Sequence, residues 1–303
     1  MELVMSDDTD YITILRDPVT QFESSFFYFE FDRVLSLKNH PDPIAEFMRY
    51  PDEYLYNTTL VVNNFPDTIN LIQSGMFYDL GQDFVDVEEA QEIQKRIHHL
   101  ESEFRLVMIT EYFDESLVLL KMEMCWQLED ILYIKQNQRT KLHHRNSTLK
   151  SQNMPEDLRE RIRQWNRADS MLYEHFNKTL WSKIEARGAS FRVQLAQFRA
   201  MNRAVKQACA PRQFTSKGFG TNVSVTEYVM DPTVDPFNRY LCGKMLTTEI
   251  SYLKYFRKKL GAQYGYQKIM IREGLRPANR KNVLQRSMAR KMRLKAMARV
   301  PNS

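Results

Sequence analysis

Residues 11–32 read YITILRDPVTQFESSFFYFEFD, and the order of residue types in this stretch decides the fold. Tyr11 to Leu15 form a short β-branched and apolar run between Asp10 and Pro18, the composition of a buried strand. Pro18 has no amide hydrogen for a sheet ladder and pushes Asp17 out of the helical region, so the strand ends at the Arg16-Asp17-Pro18 corner. Beyond the corner, Phe22, Phe26 and Phe29 stand at i, i+4 and i+7, which predicts a helix with an aromatic face. The local unit is strand, corner, helix.

The same unit recurs downstream. Val87, Ile93, Ile97 and Leu100 share one face of a predicted helix. It leads into FRLVMIT (104–110), a second strand candidate, and then into YFDESLVLLKMEMCW (112–126), a helix running from Glu115 with Asp114 as its cap. DILYIKQN (130–137) reads as a third strand and 138–152 as an exposed polar loop. Between the two units, 41–81 reads as a loop-rich insertion with helical pieces and the turn NNFPD (63–67). From Pro155 the pattern predicts two helices up to a break at Gly188, then a third over 191–209 with Phe191, Leu195, Phe198 and Met201 facing the core. Strands alternating with helices early and helices alone later predict an α/β parallel sheet flanked by helices, with a largely helical C-terminal half.

At 303 residues, 43% of them apolar and only 9 glycine, the chain can bury a substantial core and is neither disordered nor fibrous. Its net charge of +5 conceals an asymmetry, because fifteen Lys or Arg and one acid, Glu273, lie from Ser251 onward, leaving the preceding body acidic. We therefore read a domain over 1–260 and a basic, flexible tail over 261–303. Aromatic residues are absent after Tyr266, so the tail has no base-stacking platform and nucleic acid is not an expected partner. No run reaches the roughly 18 apolar residues of a membrane helix. The three cysteines, Cys125, Cys209 and Cys242, have no metal-type spacing, and sequons stand at Asn57, Asn146, Asn177 and Asn222.

Most catalytic signatures are missing. The chain has no G-x-x-x-x-G-K-[ST] loop, no H-E-x-x-H and no C-x-x-C, so no metal is expected. Arg16 and Ser24 are better candidates. Arg16 leaves the end of a parallel-type strand, where α/β proteins place ligands, and its planar fork of donors suits a phosphate. Ser24, two turns into the helix, sets a hydroxyl toward the same anion. The bland alternative is that Arg16 pairs with Asp17 or Glu23 and Ser24 is incidental.

A strand ending in Arg with Ser eight residues later resembles the 3′-phosphate motif of sulfotransferases that use 3′-phosphoadenosine 5′-phosphosulfate (PAPS). ILRDPVTQFESSFFYF, together with EYFDESLVLLKMEMCWQLEDILYIKQN, resembles the galactose-3-O-sulfotransferase family, best over 9–32 and 104–139 and less closely to about residue 260. The resemblance implies a P-loop-like sulfotransferase fold, with Arg16 and Ser24 on the cofactor's 3′-phosphate. It also implies transfer of sulfate from PAPS to the 3-hydroxyl of galactose in a glycolipid or glycan, in the Golgi lumen. It puts Glu111, Asp114 and Glu115 at an acceptor-side corner as catalytic candidates, with Asp114 as a cap and Glu115 at the positive helix end as the plain alternative. In RQFTSKGFG (212–220), Lys217 is a candidate for a cofactor-closing loop, or for an exposed glycine turn. Trp126, Trp165 and Trp181 read as core residues.

Family members also carry a signal-anchor helix, which would tether them to the membrane, and a Lys-Thr loop for the 5′-phosphosulfate, both ahead of this motif. No Lys precedes Lys38. The resulting expectation is an N-terminally truncated chain with little or no activity. A competing reading is a non-catalytic protein of the same fold that holds an acidic glycan or anion through its basic tail.

Overall fold

The structure is a computed structural model that describes residues 9–56, 72–82, 90–136, 138–139, 154–210, 212–217 and 224–264. Strand β1 (Tyr11–Leu15) pairs in parallel with β2 (Phe104–Ile109), Ile12 opposite Leu106 and Leu15 opposite Ile109. Parallel pairing sets both carboxyl ends on one edge of the sheet, and the two corners lie there side by side. Thr110 fixes the register by donating its hydroxyl to the Leu15 carbonyl at 2.9 Å.

Helix α1 (Pro18–Tyr28) starts as the sequence requires. Pro18 occupies the first turn, where no amide hydrogen is needed, and the Asp17 carboxylate accepts from the Thr20 amide at 2.9 Å. The aromatic face is shorter than expected. Phe22 and Phe26 are buried, but the helix ends at Tyr28, Phe29 is exposed at its C-cap, and Glu30 takes a left-handed backbone (φ 56°). That reversal starts α2 (Phe31–Val34) and buries Phe31 in place of Phe29.

The segment read as an insertion is part of the core. Helices α3 (Pro43–Phe47) and α4 (Pro51–Tyr56) bring Ile44, Phe47 and Leu55 onto Phe22, Phe26 and Phe31. Ring centroids of Phe22, Phe26 and Phe47 lie 5.7–5.9 Å apart. Each fully buried phenylalanine contributes about 1.5–3 kcal/mol. The turn 63–67 lies outside the described residues. Helix α5 (Gly75–Asp79) follows, and α6 (Ala90–Glu103) buries Ile93, Ile97 and Leu100 as predicted, with Val87 outside the described residues.

Helix α7 (Phe113–Glu123) begins two residues before Glu115, and Asp114 lies in its first turn rather than capping it. The third predicted strand does not form over the described residues 130–136. Gln127 and Asp130 make a reciprocal capping box that turns 128–131 into a 3-10 helix, and among the described residues of this stretch only Gln138 and Arg139 are strand, as β3. The remainder of 138–152 lies outside the described residues. Pro155 stands at the N-cap of α8 (Glu156–Trp165), one residue earlier than the expected first-turn place. The helical stretch α9 (Arg167–Cys209) is interrupted at Gly188, whose φ 61° and ψ −140° are non-helical, so two helices meet at a kink there as the sequence predicts. The second core joins the sheet to α6, α7 and α9 through Leu106, Ile109, Val118, Leu172, Phe176 and Phe198.

RQFTSK is not a turn. It is strand β4 (Arg212–Lys217), antiparallel to β5 (Ser224–Val229), which in turn pairs with β3. Residues 218–220 lie outside the described set. Two helices follow, α10 (Pro236–Leu246) and α11 (Glu249–Tyr264). A disulfide between buried Cys209 and Cys242 ties the end of α9 to α10, and Cys125 is free and exposed. Bridging residues 33 apart in sequence adds on the order of 2–4 kcal/mol. No helix among the described residues is long and apolar enough to cross a membrane.

Candidate anion site at the parallel-strand corner

Arg16 is the first residue beyond β1, at the carboxyl edge of the sheet. Its amide donates to the Met76 sulfur at 3.3 Å, which holds its backbone against α5. Its side chain folds along α1, Nε donating to the Thr20 hydroxyl at 3.0 Å. Arg16 makes no ion pair with Asp17 or Glu23, and its terminal Nη groups have no protein partner among the described residues. The half of the guanidinium that forms a two-pronged bond to an oxyanion is therefore unused. Ser24 is half-buried one turn beyond Thr20, on the same face of α1. The structure thus brings Arg16, Thr20 and Ser24 onto one track along the first turns of α1. The positive end of a helix starting with Pro18 adds to the pull on an anion.

Glu111 closes the corner from the second strand. Its Oε1 accepts from the Asp17 amide at 3.1 Å and lies 3.4 Å from the Thr20 hydroxyl, and its Oε2 is 3.4 Å from the Tyr173 phenol. Burial first, and then the charge of Glu111, push the Tyr173 hydroxyl above its ordinary range, so it stays protonated and donates. With its lone pairs taken up by the chain's own donors, Glu111 braces the Arg16 corner.

Asp114 and Glu115 are engaged elsewhere. Asp114 accepts from the Tyr133 hydroxyl at 2.9 Å and from Arg199 Nε at 3.1 Å, while Arg199 Nη2 donates to Glu115 at 2.7 Å. Burial, with Asp114's hydrogen bond second, holds Tyr133 protonated. The three acids that look alike in EYFDES belong to two different networks. Lys217 lies at the end of β4, in a separate sheet from Arg16. Trp165 and Trp181 pack in the body, the first donating to the Ile72 carbonyl and the second edge-on to Tyr112, but Trp126 is exposed.

Sequence reasoning missed the support behind Arg16. Asp169 of α9 is buried, and its two oxygens accept from the Met76 and Phe77 amides at 3.2 and 2.8 Å. Asn166 accepts from the Ser74 amide at 2.8 Å. Burial raises the Asp169 carboxyl to about 7, opposed by those two amide bonds. Met76, held in this way, is the residue that receives the Arg16 amide. An Asn-x-x-Asp pair in an otherwise ordinary helix start is the only local signal, and its partners lie 92 and 93 residues away.

Comparison with known proteins shows the family of the chain. The galactose-3-O-sulfotransferase family matches residues 1–260. The chain belongs to that family. It is similar to galactosylceramide sulfotransferase of Homo sapiens, 35% identical over 283 residues covering 88% of this chain and 62% of the relative. The corresponding protein of Mus musculus is 34% identical over 80% of this chain and 57% of its own length. Galactose-3-O-sulfotransferase 2 of Mus musculus is 29% identical over 84% of this chain and 64% of the relative. The chain therefore spans roughly three-fifths of the length of these relatives. No solved structure matches it significantly. Within this family the mixed α/β chain has a small parallel sheet and mostly helical content. Among the described residues no group of three or more His, Cys, Asp or Glu is placed to hold a metal ion.

Proposed function

We propose that this galactose-3-O-sulfotransferase family member takes the sulfuryl group of PAPS and transfers it to the 3-hydroxyl of a galactose. The acceptor carries that galactose on a glycolipid, as the name of the galactosylceramide relatives describes for those proteins, or on a glycan. Arg16 and Ser24 hold the 3′-phosphate of the donor, and Thr20 holds Arg16 in place. The observation that carries this reading is the open Nη pair of Arg16 at the carboxyl end of a parallel strand, beside the start of α1. The sheet β1–β2 is read as the centre of a P-loop-like sulfotransferase fold.

In this reaction the bond between sulfur and the bridging oxygen breaks, a bond from sulfur to the galactose O3 forms, and the 3-hydroxyl proton passes to a base. The leaving group is 3′-phosphoadenosine 5′-phosphate, and its growing negative charge needs cations or amide donors nearby. Arg16 contributes at the far end of the nucleotide, by positioning. Glu111, Asp114 and Glu115 act as corner and helix braces in this scheme. Lys217, on the other sheet, is read as a surface cation. The Cys209–Cys242 disulfide suits an oxidising compartment and supports the Golgi lumen as the place of action.

Calorimetric titration of the chain with 3′-phosphoadenosine 5′-phosphate tests the site. Arg16→Ala should weaken binding at least about tenfold, the value of one or two charge-assisted bonds, with the circular dichroism spectrum unchanged. Equal affinity in the variant would remove Arg16 from the site. Mass-spectrometric detection of a sulfated galactoside formed from PAPS tests the reaction separately from binding. Binding without transfer would favour the non-catalytic anion-binding protein.

A further inference from the structure

Helix α11 (Glu249–Tyr264) stands away from the body, with every residue from 253 to 260 exposed. Four of these are large and apolar or aromatic: Leu253 is 41% exposed, Tyr255 59%, Phe256 50% and Leu260 45%. With 3.6 residues per turn, Leu253, Phe256 and Leu260 fall at i, i+3 and i+7 and share one face. Tyr252 joins them from the preceding turn, its ring stacked on Phe256 at 6.4 Å. Arg257 and Lys259 flank this stripe, and Lys254 and Lys258 cover the opposite face. The helix has no acid after Glu249, and none of its four cations has a carboxylate partner among the described residues.

The root of the helix is fixed. Tyr252 donates its hydroxyl to the Lys244 carbonyl at 3.0 Å, and the Lys244 ammonium lies over the rings of Tyr240 and Tyr252 at 5.5 and 6.0 Å. Lys244 belongs to α10, which Cys242 bonds to the end of α9. Tyr240, 72% exposed on α10, extends the aromatic patch. A stripe presented in this way on a firm base is an interaction surface, not a loose end.

Charge narrows what can cover it. Residues 265–303 carry eleven Lys or Arg against one acid, so the chain's own C-terminal segment is repelled by the four cations of α11. A second copy of the helix meets the same repulsion. The occupant must be apolar beneath and negative at its surface, and a bilayer containing anionic lipids has both properties in the right order. We propose that α11 is an interfacial helix that lies flat on an anionic membrane. Leu253, Phe256 and Leu260 enter the headgroup boundary, Tyr240 sits at its polar edge, and Arg257 and Lys259 meet lipid phosphates. The inference rests on this surface alone, and neither donor nor acceptor enters its test.

The experiment is flotation of the full chain with sized vesicles of pure phosphatidylcholine and of phosphatidylcholine with phosphatidylserine. The expected result is binding to the phosphatidylserine vesicles that weakens with salt, and little binding to the neutral ones. The pair Phe256→Ser and Leu260→Ser, and separately Arg257→Gln and Lys259→Gln, should each lower the vesicle partition on the order of tenfold or more with the far-ultraviolet spectrum retained. Equal binding to neutral vesicles, or no binding to either kind, overturns the proposal. Undiminished binding of the serine pair also overturns it and makes the surface a simple polyanion site for acidic glycans or nucleic acid. A dimer in solution that dissociates in the serine pair overturns it in favour of a second copy.

Discussion

The molecule builds a strand, an acidic corner and a helix twice, at 11–28 and at 104–123, and the two copies use their charged groups in opposite ways. At the first corner Asp17 turns back to cap its own helix, and the neighbouring Arg16 keeps its terminal donors open. At the second corner Asp114 and Glu115 both reach Arg199 on α9, so their charges are neutralised within the fold. Glu111 stands between the two and belongs by its contacts to the first. The same local pattern yields a candidate site in one case and a brace in the other. What separates them is whether a long-range cation is waiting.

That contrast can be broken from behind. Asp169→Ala should have the largest effect, because it strands two buried amide hydrogens at Met76 and Phe77. Each such loss costs about 1–3 kcal/mol, so chemical denaturation should show roughly 2–5 kcal/mol of destabilisation. Binding of 3′-phosphoadenosine 5′-phosphate should weaken as well, since Arg16 leans on Met76. An intact midpoint would mean that the Met76 turn holds itself.

Glu111→Ala comes next and separates the two corners. It removes the acceptor for the Asp17 amide and the Tyr173 hydroxyl, and should lower stability by about 1–2 kcal/mol and also weaken nucleotide binding. Arg199→Ala should lower stability by no more than about 1 kcal/mol, because the ion pairs are partly exposed, with nucleotide affinity unchanged. If Arg199→Ala weakened nucleotide binding as much as Glu111→Ala, the two corners would be one site. Asp17→Ala removes a helix cap and should cost about 1 kcal/mol in a thermal or denaturant melt.

The most specific effect is on pH. The Asp169 carboxyl is raised to about 7 in the fold, from about 4 in an unfolded chain. Between those values the folded state keeps a proton that the unfolded state has lost, so Asp169 makes stability fall as pH rises from about 4 through about 7. Asp169→Asn does not titrate. Its denaturation midpoint should therefore change less than that of the wild type between about pH 5 and about pH 8. Parallel curves for the two proteins would contradict the raised carboxyl.

The strand YITIL, the Asp17 cap and the Pro18 start were legible because each depends on neighbours within four residues. The face of α6 was legible for the same reason, its buried residues repeating at helical spacing. Phe29 was misplaced because periodicity does not say where a helix ends, and the left-handed Glu30 handed its core position to Phe31. DILYIKQN has a strand's composition, but the Gln127–Asp130 capping box bends its start. RQFTSK was read through its glycine-containing end, while its pairing with β5 decides its state. The disulfide and the open stripe of α11 both needed the helices to be placed before either had meaning.

By itself the sequence determined the first unit, the position of Arg16 at a strand end, the family resemblance and the basic C-terminal segment, because local sterics, hydrogen bonding and composition are sufficient for these. Only the tertiary structure decided which charges remain available. Arg199, Asp169 and Glu111 reach their partners across 84 to 94 residues of chain, and whether a carboxylate is a brace or a reactant depends on what the fold sets within hydrogen-bonding distance of it.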